Sequence, residues 1–157
     1  MATLTGVFFD TSVLIAGMVD FGASSEAPMR AVDGVVSGEI ESPRTAWHCC
    51  LEFFSVTTRL PEEYRLDAAT ALRFLREEIL ARFTVAQLPA PSRDRFLASA
   101  VGEGATGGRI YDAHIGEIAR LGGCSIVVTD NRRHFAHLLR HGIRVVSSAE
   151  LLTELAG

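Results

Sequence analysis

Lysine is missing from this chain, and all fifteen of its basic residues are arginine. A coding bias toward arginine accounts for this more simply than selection for forked phosphate contacts. Without lysine there is no Schiff-base chemistry and no phosphate-binding P-loop lysine. Cysteine is scarce. Cys49, Cys50 and Cys124 form no CxxC pair, and an odd count with two adjacent residues is a poor disulfide framework, so reduced, buried thiols in a cytoplasmic protein are expected. No run approaches the roughly 18 apolar residues of a membrane span, and no basic start precedes the first apolar stretch. A soluble chain with no membrane contact is the expectation. A surplus of positive charge is lacking too, with a net charge of −4 and a sequence pI near 5.7. That counts mildly against a high-affinity duplex binder. It leaves room for a nuclease, in which metal ions supply positive charge where phosphate must sit.

What is present reads as alternating strands and helices. At 157 residues the simplest organisation is one domain over residues 1–157, which buries roughly two-thirds of its unfolded surface without disulfides. Val7-Phe8-Phe9 and Ile126-Val127-Val128 are apolar without alternation, as buried parallel strands are. Further strands are expected near Glu39 to Ser42, Phe83 to Leu88 and Ile143 to Val146. Helices are expected over Thr11 to Met18, from Ser24 or Ser25 to Val36, from a Thr45 cap to Arg59, and over Leu66 to Arg82. Others follow from Ser92 to Val101, Tyr111 to Leu121, Asn131 to His141 and Ser148 to Leu155. The third of these carries an apolar stripe at Trp47, Cys50, Leu51 and Phe54, and the fourth places Ala68, Leu72, Leu75 and Ile79 inward. Gly102 to Gly108 is a loop. The pattern implies an α/β fold, a three-layer α/β/α sandwich around a mainly parallel sheet.

Four acids stand out against that frame: Asp10, Glu52, Asp112 and Asp130. Asp10 ends the first strand and Asp130 follows the strand at Ile126 through Thr129. Ligand and catalytic groups of open α/β sheets gather outside the carboxyl ends of the strands. Asp112 opens a helix running antiparallel to the strands and starts at the same edge. Carboxylates held together repel unless protons or cations intervene, which points to a divalent metal, and Mg²⁺ or Mn²⁺ suits hard oxygen ligands. Each acid also has an ordinary reading. Asp10 and Asp130 could cap helices, Asp112 could favour a helix dipole, and Glu52 could be a solvated flank. The constellation favours function.

Phe8-Phe9-Asp10-Thr11-Ser12-Val13-Leu14-Ile15 resembles the opening motif of PIN domains, particularly VapC-type toxin ribonucleases of bacterial toxin–antitoxin pairs. Ser42-Pro43 followed by Leu51 to Pro61 is similar to their second motif, with Glu52 as its acid. Arg109-Ile110-Tyr111-Asp112-Ala113-His114-Ile115 resembles the third, and Val127-Val128-Thr129-Asp130-Asn131-Arg132-Arg133-His134-Phe135 the fourth. The resemblance implies a metal-dependent endoribonuclease that hydrolyses RNA phosphodiesters with water and Mg²⁺ or Mn²⁺. It implies catalytic and metal-binding roles for Asp10, Glu52, Asp112 and Asp130, supported by the hydroxyls of Thr11, Ser12 and Thr129. The family often carries its fourth acidic position two residues after the threonine, where this chain has Asn131. Either Asp130 or Asn131 could fill that role, with Asp130 preferred for its charge and Asn131 as the neighbour that orients water or substrate. A homodimer and a small antitoxin protein in the active-site groove are also implied. The alternatives are a PIN-like nuclease of RNA processing or DNA handling, and a nuclease-dead binding module.

Other folds with acidic strand ends recede. A haloacid-dehalogenase-like phosphatase wants a second aspartate at position 12, which is Ser12, and a receiver wants a lysine. His134, His137 and His141 recur at i, i+3 and i+7 and could form a transition-metal face. A solvated helix face is the weightier reading. Arg109 sits near the site as a phosphate contact, an antitoxin contact or plain surface charge.

Overall fold

Three-residue strands, each followed by helix, build the sheet that positions the acids. The structure is a computed structural model that describes residues 3–156. In chain order the elements are β1 (Val7–Phe9), α1 (Thr11–Met18), α2 (Glu26–Val36), β2 (Arg44–Ala46) and α3 (Trp47–Thr57). Then come α4 (Ala68–Phe74), β3 (Thr84–Ala86), α5 (Arg93–Gly102), α6 (Arg109–Leu121), β4 (Ile126–Val128), β5 (Arg144–Val146) and α7 (Ser148–Ala156). The strands form one parallel sheet in the order β3-β2-β1-β4-β5. Helices cover both of its faces, giving the three-layer α/β/α sandwich. The order reverses direction between β1 and β4, whose register pairs Phe9 with Val128. Asp10 and Thr129 therefore leave the sheet side by side at its topological switch point, where α/β folds place their ligands.

The core is the apolar content of these strands and the helix faces against them. Phe8, Phe9, Val127, Val128, Phe53 and Phe135 are all buried. Phe9 meets Phe83 edge-to-face at 5.1 Å between ring centroids. Close approach of α1 and α2 depends on Gly17, where an added Cβ would lie 2.6 Å from Val32 Cγ2 and 3.1 Å from the Pro28 carbonyl oxygen.

Four local expectations are corrected. The strand expected at Glu39 to Ser42 is reduced to a single parallel bridge from Ile40 to Leu4, and β2 lies at Arg44–Ala46. Ser42 adopts φ 50°, which turns the chain before it can extend along the sheet. Thr45 is thus a buried strand residue, not a cap, and its hydroxyl donates to the Phe9 carbonyl at 2.9 Å. On α3 the buried face is Cys49, Cys50, Phe53 and Thr57. Of the expected stripe only Cys50 is inside, while Trp47, Leu51 and Phe54 are 42%, 56% and 37% exposed. A helix apolar on several sides has no single face that periodicity can select. The helix expected over Leu66 to Arg82 is α4 followed by a π-helical segment, Leu75–Leu80, with Asp67 accepting from the Thr70 amide as N-cap. Ile79 is buried and Leu75 half-buried as expected, but within α4 the inward position is Ala71, while Ala68 and Leu72 are exposed.

Candidate active site

Asp10 occupies the N-cap position of α1 with extended backbone, but its side chain makes no capping hydrogen bond. Its carboxylate turns across the sheet edge instead. Oδ2 accepts from Ser12 Oγ at 2.9 Å and from Thr129 Oγ1 at 2.8 Å. The residue is 4% exposed, and burial raises the proton affinity of Asp10. The hydroxyls of Thr129 and Ser12, and more weakly the amides of Thr11 and Ser12, oppose that rise without reversing it.

Glu52 projects from the middle of α3 toward the same edge. Thr11 Oγ1 donates to Glu52 Oε1 at 2.9 Å. Partial burial raises the Glu52 pKa, the Thr11 hydroxyl and His48 lower it, and the negative charges of Asp10 and Asp112 push it up again. Asp112, in the first turn of α6, has its pKa raised by burial against the opposing pull of His134, His48 and His137. His134 Nδ1 stands 3.2 Å from Asp112 Oδ2. Three carboxylates from β1, α3 and α6 are thus gathered, and all three are held above their ordinary pKa values.

Asp130 is oriented differently. Its Oδ1 faces the first residue of α7, 3.3 Å from Ser148 Oγ and 3.5 Å from the Ser148 amide nitrogen. Its own amide donates to Ser12 Oγ at 3.2 Å, and the Asn131 amide donates to Thr129 Oγ1 at 3.0 Å. Asp130 and Asn131 therefore brace Ser12 and Thr129, the two hydroxyls that hold Asp10. The segment Arg132–His141 is 3-10 helical. His134 reaches Asp112, while His137 packs on Gly116, where an added Cβ would lie 2.8 Å from His137 Nε2.

Sequence reasoning passed over His48 and His114. His48 Nε2 faces Glu52 Oε1 at 3.6 Å, and His48 Nδ1 lies 2.9 Å from His114 Nδ1. The carboxylate favours a proton on His48 Nε2, which leaves His48 Nδ1 as acceptor and His114 Nδ1–H as donor. Burial and the neighbouring His48 lower the His114 pKa, in keeping with a neutral ring. The signal was in the spacing, since residues four apart on a helix share a face.

The donor set suits a hard divalent cation: carboxylate oxygens, raised in proton affinity by burial and, at Glu52, by one another. Among the described residues no three acidic, histidine or cysteine side chains converge tightly enough to bond one ion. Mg²⁺ is commonly held by one or two carboxylates with water and substrate phosphate completing its shell, which this arrangement can supply. Next to Glu52 an apolar groove of about 630 Å³ runs between α3, α5 and α6, lined by Trp47, Leu51, Leu97, Tyr111 and His114 among others.

The fold and its acidic edge define a class. The PIN domain family model matches residues 7–141, and the chain belongs to that family. Among curated relatives, Ribonuclease VapC40 of Mycobacterium tuberculosis is 29% identical over 123 residues, covering 78% of this chain and 85% of that protein. PAE2754 from Pyrobaculum aerophilum superposes with a TM-score of 0.63 at 22% identity, over 99% of this chain and 97% of its own. VapBC-1 from nontypeable Haemophilus influenzae gives 0.61 at 12% identity, over 93% and 99%. The two structural likenesses show a shared fold.

Proposed function

We propose that this chain is a metal-dependent endoribonuclease and the toxin of a toxin–antitoxin pair. The observation that carries the reading is the placement of Asp10, Glu52 and Asp112 at one edge of a PIN-domain sheet, near enough that Asp10 and Asp112 both act on Glu52, with each carboxyl pKa raised. Similarity to Ribonuclease VapC40 and the fold shared with VapBC-1 support it. Asp10, Glu52 and Asp112 would hold Mg²⁺ or Mn²⁺ between them, directly or through its bound waters, with Asp130 and Asn131 at the rim as the remaining acidic and amide candidates. The ion, when bound, would supply Lewis acidity toward water and phosphate oxygens at neutral pH.

The protein groups act by positioning. Ser12 and Thr129 fix one oxygen of Asp10, Thr11 fixes one oxygen of Glu52, and His134 stands over one oxygen of Asp112. Each carboxylate thereby keeps its other oxygen for a ligand. The His114–His48 pair buttresses Glu52 from the groove side. The apolar groove is the surface we assign to the antitoxin. An apolar patch of this kind beside a functional centre marks a protein-docking site. A segment seated there with a basic side chain toward Glu52 and Asp112 would block the centre. A second copy of the chain is the other partner that the family resemblance implies.

The test is cleavage of a structured RNA pool by purified protein with Mg²⁺, Mn²⁺ or EDTA, alongside Asp10→Asn as the control for contaminating nuclease. Metal-dependent cutting by the parent and none by the variant is the expected result. Cutting that survives EDTA or the substitution contradicts the reading.

A further inference from the structure

A smaller pocket of about 210 Å³ opens on the flank of α6 away from the apolar groove, lined by Glu103, Arg109, Asp112, Arg133, His134 and His137 among others. Residues 109, 112 and 113 line it, whereas 110, 111 and 114 line the groove, a division that follows from about 100° of rotation per helical residue. Its two arginines and two acids balance in formal charge, but both acids are engaged elsewhere. Glu103 is ion-paired with Arg140, and Asp112 faces His134 and belongs to the proposed cation centre. Arg109 and Arg133, like seven other arginines of the chain, take part in no ion pair among the described residues, and these two line the same cavity. Two permanently charged, forked donors therefore stand over one cavity. Arg109 is also the first residue of the 13-residue helix α6, whose amino end adds positive potential.

We propose that this pocket is a phosphate subsite, in which Arg109 and Arg133 hold a non-scissile phosphodiester of the RNA strand next to the one at the carboxylates. Guanidinium forks match phosphate oxygens in pairs. The pocket shares Asp112 with the acidic centre, so a strand crossing that centre runs directly into it. In a chain of net charge −4, affinity for a polyanion needs such a local concentration of positive charge. The subsite sets which way the strand lies across the carboxylates. It rests on the nuclease reading, and the experiment separates the two.

The probe is a short fluorescent single-stranded RNA of mixed sequence. Its affinity is measured against salt in an Asp10→Asn background, where it is not cut. Arg109→Ala and Arg133→Ala are each expected to weaken binding and to flatten the log affinity against log salt slope by about 0.7. Arg133→Lys, which keeps the charge, should retain the slope. Arg30→Ala makes the same charge change at the amino edge of the sheet, beside Glu39, whose carbonyl accepts from the Leu4 amide, and should leave the slope alone. In the cutting enzyme the two alanine variants should raise KM and leave kcat near the parent value. Parent-like slopes in both variants would overturn the subsite while metal-dependent cleavage by the parent still stood. Unchanged RNA binding with weakened antitoxin binding would likewise overturn it and reassign the pocket to the protein partner. If the parent neither cuts nor binds RNA, the nuclease reading falls and takes the subsite with it.

Discussion

Replacing Asp10 by Asn keeps an oxygen that can accept from Ser12 and Thr129, so the fold loses little while the centre loses a charge. Its pH behaviour follows from the sign of the shift. Burial raises the folded pKa of Asp10 above its ordinary value of 3.8, so the folded state holds that proton more tightly than the unfolded chain does. Stability then falls as pH rises from about 4 through the window between the two values, and Glu52 and Asp112 act in the same direction. In EDTA, the parent's Tm should decline relative to that of Asp10→Asn as pH rises from about 4, a comparison in which the opposing contribution of His114 and His137, whose pKa values are lowered, is common to both proteins. A steeper decline in the variant would contradict the account. The thiols make a second residue-scale prediction. Burial pushes the Cys49 thiol up to about 12 and Cys50 up to about 11. Neither should react with an aromatic disulfide reagent at pH 8 until the protein unfolds. Free, buried cysteines were legible from the lack of a CxxC pair and an odd count with two adjacent. The pairing of His48 with Glu52 was legible in principle from the i, i+4 spacing, but the partner role of His114 was not, because it depends on α3 and α6 crossing at that level.

At the scale of elements, α1 and α2 approach so closely at Gly17 that a methyl group has no room. Gly17→Ala gains up to about 1 kcal/mol in helix propensity, but overpacking costs about 1–3 kcal/mol, so urea unfolding should show net destabilisation. A midpoint above the parent's would show that the helices can move apart freely. The groove gives another prediction. Leu97 is 52% exposed on α5 and lines the groove without touching the carboxylate centre, so Leu97→Asp should preserve RNA cleavage. The same change should weaken antitoxin binding by roughly 2 kcal/mol or more if Leu97 is an anchor. Equal co-purification of parent and variant would remove the groove from the antitoxin surface. Here the sequence was a partial guide. The apolar runs marked β1 and β4 because a strand buried on both faces has no alternation to misread. They could not place β2, since Arg44-Thr45-Ala46 carries no apolar run and is a strand by virtue of pairing with Phe8 and β3. On α3 the apolar residues on two sides left the choice of face to the tertiary packing, and the side left outside became the groove.

For the whole molecule, the strand order sets the place at which the acids collect, with α3 and α6 bringing Glu52 and Asp112 to the edge where Asp10 ends β1. Residues 10 and 129 meet because β1 and β4 are adjacent although most of the chain lies between them. Asp10, Asp112 and Asp130 were readable as strand-end and helix-start residues, whereas Glu52, in mid-helix, was raised only by the constellation and the family resemblance. Their relative orientation was not, which is why Asp130, equally plausible in sequence, has its carboxylate toward Ser148. The central claim is that Asp10, Glu52 and Asp112 act together as one cation centre. Calorimetric titration of Mn²⁺ into the metal-stripped protein tests it most directly, with Asp10→Asn, Glu52→Gln and Asp112→Asn measured in parallel. The account predicts saturable binding by the parent that each single substitution weakens about tenfold or more. Parent-like binding by all three variants would contradict it.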